Sequence, residues 1–165
     1  MTNRVVLLDS GPLGEIISPK PKGYIKDWLS FIKQNKISLR VPEIIDYEIR
    51  RNLILSNLGK SERRLNQYRN RKEFIHLNSE ILICACEIWA ELRRIGQPTA
   101  SKERLDIDVL LIAQAISQTD SFEEVIIVTT NVKHLIRCIE YGIQVWDWQQ
   151  ALQDAESGEI NLVST

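Results

Sequence analysis

A chain of 165 residues, 26% of them charged and with a net charge of −1, has the length for one domain that buries roughly 70% of its unfolded surface. Its balance excludes a globally basic, nucleic-acid-coating protein, so any basic surface must be local. No run of about 18 apolar residues and no leader pattern is present, which reads as a cytoplasmic protein with no membrane contact. The three cysteines, Cys84, Cys86 and Cys138, show no zinc spacing and no disulfide framework, and read as reduced core or boundary thiols.

In chain order, residues 5–8 are an apolar run of β-formers closed by Asp9, Ser10, Gly11 and Pro12. That pattern predicts a strand buried on both faces, followed by a turn that opens a helix near Pro12. Residues 18–23, with two prolines and a glycine, form a loop. Trp28, Leu29 and Ile32 recur at helical spacing, giving a helix over 24–34. Residues 37–41 alternate as a second strand, and Ile44, Ile45, Ile49 and Leu53 mark a second amphipathic helix. A basic stretch follows at 60–72, then a short third strand at 74–77 and a helix over 81–94.

Residues 96–102 read as a loop. From Asp108 the sequence is apolar nearly all round, as in a helix packed on both sides. Residues 125–128 form another buried strand, 132–140 a helix, and 143–146 an edge strand. The alternation argues for a three-layer α/β/α sandwich around a central parallel sheet of four or five strands. The domain spans 1–150, and 151–165 is a polar C-terminal tail.

Four places carry candidate chemistry. Asp9 stands at the carboxyl end of a central strand, where open α/β sheets bind ligands, although an aspartate there also serves as a helix cap. Glu48 lies beside the buried stripe of its helix, which calls either for a cation or for pairing with Arg50 or Arg51. Asp106 and Asp108 are placed at the entrance of the apolar helix; one carboxylate explains itself as a cap and the second is surplus. Asn131 follows the 125–128 strand, where it or Thr130 can cap the next helix. His134, one turn on, reads as a surface or packing histidine.

These four blocks, Val5-Val-Leu-Leu-Asp-Ser10, Pro42-Glu-Ile-Ile-Asp-Tyr-Glu-Ile49, Asp108-Val-Leu-Leu-Ile-Ala-Gln-Ala115 and Thr129-Thr-Asn-Val-Lys-His-Leu135, together resemble a PIN domain. The resemblance spans about residues 4–150 and is closest to the VapC-like toxin ribonucleases of toxin–antitoxin pairs. It implies a Mg²⁺- or Mn²⁺-dependent endoribonuclease with Asp9, Glu48 and Asp108 as catalytic metal ligands. Asp106 is a further or competing ligand, and Asn131 stands where many members carry aspartate. The substitution removes a charge and favours one ion over two. The resemblance also implies an RNA substrate, a cognate antitoxin and a homodimer.

Physics supports such a site independently. Two carboxylates about 4 Å apart repel by roughly 4 kcal/mol at an effective dielectric near 20, so one of them gains a raised pKa or a cation arrives. Oxygen ligands suit Mg²⁺ or Mn²⁺. Arg50, Arg51, Arg63, Arg64 and Lys133 are candidate phosphate contacts and Tyr68 a candidate stacking ring, although a charge-rich helix is also simply solvated. A haloacid-dehalogenase reading fails because Gly11 stands where a second aspartate is needed, and no phosphate-binding glycine loop exists. The competing reading is a degenerate PIN fold that binds RNA or protein without cutting.

Overall fold

The run that opens the chain is its centre: Val5, Val6, Leu7 and Leu8 are fully buried on strand β1 (Arg4–Leu8). Such completely apolar strands survive only where both faces of a sheet are covered. In this computed structural model, which describes residues 2–96 and 102–159, β1 is the middle of a five-stranded, all-parallel sheet. The other strands are β2 (Ser38–Pro42), β3 (Phe74–Ile75), β4 (Glu124–Thr129) and β5 (Ile143–Asp147), in the order β3-β2-β1-β4-β5.

Among the described residues, seven α-helices connect and cover the strands: α1 (Ser10–Ile16), α2 (Gly23–Gln34), α3 (Glu43–Leu55), α4 (Gly59–Arg69), α5 (Ser79–Arg94), α6 (Lys102–Ile116) and α7 (Trp148–Ser157). A 3₁₀ helix covers Val132–Tyr141. The chain steps from β1 to β2 to β3 in one direction and then returns to β4 and β5. With right-handed crossovers, this places the connections on opposite faces. One face is closed by α2 against α7, where Trp28 and Trp148 meet edge to face with centroids 4.9 Å apart. On the other, α5 packs on α6 and α6 on the 3₁₀ helix. The expected α/β/α sandwich is the observed one.

Three expectations change. The apolar helix starts at Lys102, not near Asp108, so neither Asp106 nor Asp108 is an N-cap. Leu105, Val109 and Ile112 form its buried stripe, and the polar residues between them disguise the opening turns as loop. The 132–140 helix is 3₁₀: buried Leu135 and Cys138, and exposed Ile136 and Ile139, each recur at three, the period of that helix. The tail boundary at 151 cuts through α7, whose Ala151 and Leu152 are buried. Most of the 96–102 loop and residues 160–165 lie outside the described residues. All three cysteines are free, with Cys138 buried, Cys84 half-buried and Cys86 on the surface. Among the described residues no helix is long and apolar enough to cross a membrane.

Candidate active site

Parallel pairing of β1 with β4 sets the site. Leu8 stands opposite Val128, so both chains turn at the same level of the sheet edge. The Asp9 amide donates to the Val128 carbonyl at 3.0 Å, extending the ladder by one residue before the chain departs. Asp9 does cap α1, but only through the adjacent amide: its Oδ1 accepts from Ser10 N at 2.8 Å. Its Oδ2 accepts from the hydroxyl of fully buried Thr129 at 2.7 Å. Thr129 Oγ1 in turn accepts from Asn131 N at 3.0 Å. One buried hydroxyl therefore fixes the first acid and the 129–131 turn together.

Glu48 reaches this edge from the second turn of α3, whose Ile44, Ile45 and Ile49 hold it against the core. Its carboxyl is pushed up by burial and then by Asp9, against weaker opposite effects of Arg104, Arg51 and the Ser10 hydroxyl. Asp108 comes from α6, whose contact with α3 brings the two acids into electrostatic range. Burial, then Asp9 and then Glu48 raise its carboxyl to about 7, with Arg104 opposing. Three acids from three helical segments thus converge on one patch, and each of Glu48 and Asp108 feels Asp9. Cys138 lies beneath them, its thiol pushed up to about 12 by burial and by Asp108 and Asp9.

Asp106 is not in this group. Two positions from Asp108 on a helix, it points elsewhere, and it is exposed beside Leu82, Ala85, Cys86 and Trp89 in the groove between α5 and α6. Of the two aspartates, Asp108 is the one that lies near Asp9 and Glu48. Asn131 sits at the N-cap of the 3₁₀ helix yet makes no side-chain cap hydrogen bond. Sequence reasoning missed Thr129, Ser10 and Arg104, and treated His134 as packing; its Nδ1 lies 3.8 Å from Asp108 Oδ2.

The basic candidates divide. Arg50 is not free: its Nε and NH2 donate to the two oxygens of Asp46, each at 2.8 Å, and its NH1 donates to Asn66 Oδ1 at 2.6 Å. Asp46 is 1% exposed and is reached by Arg69 as well, at 3.3 Å. Arg64 donates to the Ile16 carbonyl at 3.2 Å, tying α4 to the end of α1. Tyr68 packs against the core with Arg71 over its ring, so it is no stacking platform. Arg51, Arg63 and Lys133 are exposed.

The donor set Asp9, Glu48 and Asp108 is oxygen-only and carries more negative charge than Arg104 offsets, which suits a hard divalent cation. The buried Nδ1 of His134 beside Asp108 has no hydrogen-bond partner, an orphaned donor pointing to the same fit. Among the described residues, no three Asp, Glu, His or Cys side chains are already arranged to hold an ion, so ligation requires rotamer adjustment.

No protein-family model matches this chain, and no curated protein matches it. Solved structures do. The chain is similar to a chain in DNA-bound VapBC2 from Rickettsia felis, with TM-score 0.63 and 19% identity over 87% of this chain and 98% of that one. For DNA-bound VapBC from Salmonella typhimurium the values are 0.59 and 23%, over 90% and 99%. For FitAcB from Neisseria gonorrhoeae they are 0.57 and 18%, over 86% and 96%. Sheet order, the acid-bearing edge and these likenesses agree that the chain has the PIN-like α/β/α fold of VapC-type proteins.

Proposed function

We propose that the protein is the toxin of a toxin–antitoxin pair and a Mg²⁺- or Mn²⁺-dependent endoribonuclease. The observation that carries the reading is the gathering of Glu48 and Asp108 around Asp9 at the carboxyl edge of β1 and β4, where burial and then Asp9 raise both carboxyls. Folding has brought together three acids that repel one another, a destabilising arrangement that a bound cation relieves. The structures it resembles are VapBC and FitAB complexes, which supports an antitoxin partner. A homodimer and an RNA substrate belong to the same reading.

Asp9, Glu48 and Asp108 would hold the ion, with Asn131 beside it. A divalent cation there supplies the Lewis acidity that phosphodiester hydrolysis requires. The protein does the rest by position. Thr129 and the Ser10 amide occupy one lone pair on each Asp9 oxygen, so that carboxylate cannot swing away when a phosphate approaches. Arg104, whose charge acts on both Glu48 and Asp108, presents a cation to an incoming phosphate. Exposed Arg51, Arg63 and Lys133 hold flanking phosphates without reading sequence. Water attacks in line and the 3′ oxygen leaves, giving a 5′-phosphate and a 3′-hydroxyl.

The test is cleavage of a panel of structured RNAs by purified protein with Mg²⁺, Mn²⁺ or EDTA, alongside Asp9→Asn and Asp108→Asn. Cleavage that needs the metal and falls by about 100-fold or more in both variants supports the reading. Asn131, which adds no charge, and acids that share a patch without being arranged to hold an ion favour one alternative, a binding module that does not cut. Calorimetric titration separates the two: a module without the site takes up neither Mg²⁺ nor Mn²⁺.

A further inference from the structure

His134 sits on the 3₁₀ helix three residues beyond Asn131, on the wall that packs against α6. Its side chain is 27% exposed and Asp108's is 13%. The exposed part is not Nδ1, which is buried and has no hydrogen-bond partner. Buried ring nitrogens are normally satisfied, because an unpaired one loses its hydration without compensation. The neighbour that could satisfy it, Asp108 Oδ2, stands at 3.8 Å, outside hydrogen-bond range. Two ligands of one ion, each about 2.1 Å from it, are held apart at such a spacing rather than drawn together.

We infer that His134 Nδ1 is a nitrogen ligand of the site formed by Asp9, Glu48 and Asp108, and that it makes this centre select Mn²⁺ over Mg²⁺. The inference rests on the nuclease reading above and deepens it. Mg²⁺ takes oxygen ligands and keeps its waters, whereas first-row transition ions accept an imidazole nitrogen, Mn²⁺ the most weakly of them but still more readily than Mg²⁺. An all-carboxylate centre has little means to separate Mg²⁺ from Mn²⁺. A mixed nitrogen–oxygen centre does, and Asn131 supplies no charge to restore the preference for the harder ion.

The experiment is Mn²⁺ titration of the full chain followed by pulsed electron paramagnetic resonance, with Mg²⁺ and Mn²⁺ affinities measured by calorimetry. Wild-type protein should show a coupling from one imidazole ¹⁴N to the bound Mn²⁺, absent in His134→Gln and retained in His76→Gln, which removes the only other histidine in the chain. His134→Gln should weaken Mn²⁺ by about tenfold or more and change Mg²⁺ far less. Mn²⁺ bound to the wild type without nitrogen coupling overturns the inference and leaves the three-acid site standing. Absence of Mn²⁺ binding in the wild type overturns both. Because the decisive signal is read on the wild type, a variant that folds poorly does not obscure it. An unchanged ratio of Mn²⁺ to Mg²⁺ affinity in a folded His134→Gln likewise overturns the selectivity.

Discussion

Thr129 and Asp9, 120 residues apart in sequence, are joined by a 2.7 Å hydrogen bond in which the threonine hydroxyl donates to the carboxylate. Thr129→Val keeps the shape and deletes both the donor to Asp9 and the acceptor for Asn131 N. The expected cost is about 1–3 kcal/mol in stability. RNA cleavage should fall by about tenfold with KM little changed, because Asp9 loses its orientation and substrate contacts remain. Thr129→Ser restores both. Denaturant melts beside steady-state kinetics check this.

Asp108 gives the protein a pH dependence of unusual sign. Its carboxyl rises from 3.8 to about 7 on folding, so between those values the folded chain holds a proton that the unfolded chain has released. In EDTA, stability from this group is complete below about pH 4 and is lost as pH climbs towards 7. The midpoint of thermal unfolding should drop by about 5 °C from pH 5 to pH 8. Asp108→Asn should flatten the slope, and saturating Mn²⁺ should recover most of the loss at pH 8. A midpoint that rises over this interval in EDTA contradicts the burial of that carboxyl.

Two glycines in one short helix should respond in opposite ways. A methyl group on Gly11 would lie 2.7 Å from Thr130 Cγ2 and 2.8 Å from its Oγ1, pressing the Asp9 turn away from the 129–131 turn. Gly11→Ala should destabilise by about 1–2 kcal/mol and reduce cleavage. At Gly14 nothing lies within 4 Å, so Gly14→Ala should stabilise by about 0.5–1 kcal/mol and leave cleavage unchanged. Chemical denaturation of the pair measures both signs.

Arginines on α3 and α4 should separate by readout. Asp46, at 1% exposure, is held by Arg50 and Arg69; Asp46→Ala removes the carboxylate that these two partly exposed arginines share and should cost about 1–3 kcal/mol. Arg50→Ala should lower stability. Arg63→Ala and Lys133→Ala should weaken RNA binding instead, each reducing the salt-dependence slope by about 0.7 per lost phosphate contact on a single strand. Filter binding over a salt series against thermal melts assigns each residue.

Sequence periodicity revealed the sheet because parallel strands covered on both faces must be apolar throughout, as at 5–8 and 125–128. It also singled out Asp9, Glu48 and Asp108 as candidates, since acids beside apolar stripes are conspicuous, and the fold brings them within electrostatic range of one another. The beginning of α6 was obscured by Lys102, Arg104 and Asp106, whose polarity resembles a loop although Leu105 already belongs to the Val109 and Ile112 face. Sequence alone reads Arg50 as a partner of Glu48 or a phosphate contact, and passes over Asp46, its actual partner. Asp46 is four residues upstream of it, a spacing that does put both on one helix face. Thr129 and His134 had no local signature; their roles come from neighbours about 120 and 26 residues away, which only the fold supplies.

The pairing of β1 with β4 also governs when the acid-bearing edge is assembled. Asp9 and Glu48 are synthesised early, but β1 gains its β4 neighbour, and Asp9 its threonine, only after residue 129 exists. Closing a segment of that length is entropically costly and kinetically late. A nascent or truncated chain ending before β4 therefore carries all three acids but lacks the Thr129 hydroxyl and the β4 pairing that hold Asp9 in place. The topology works as a timer: the acid-bearing edge is complete only once the chain has been made through residue 129.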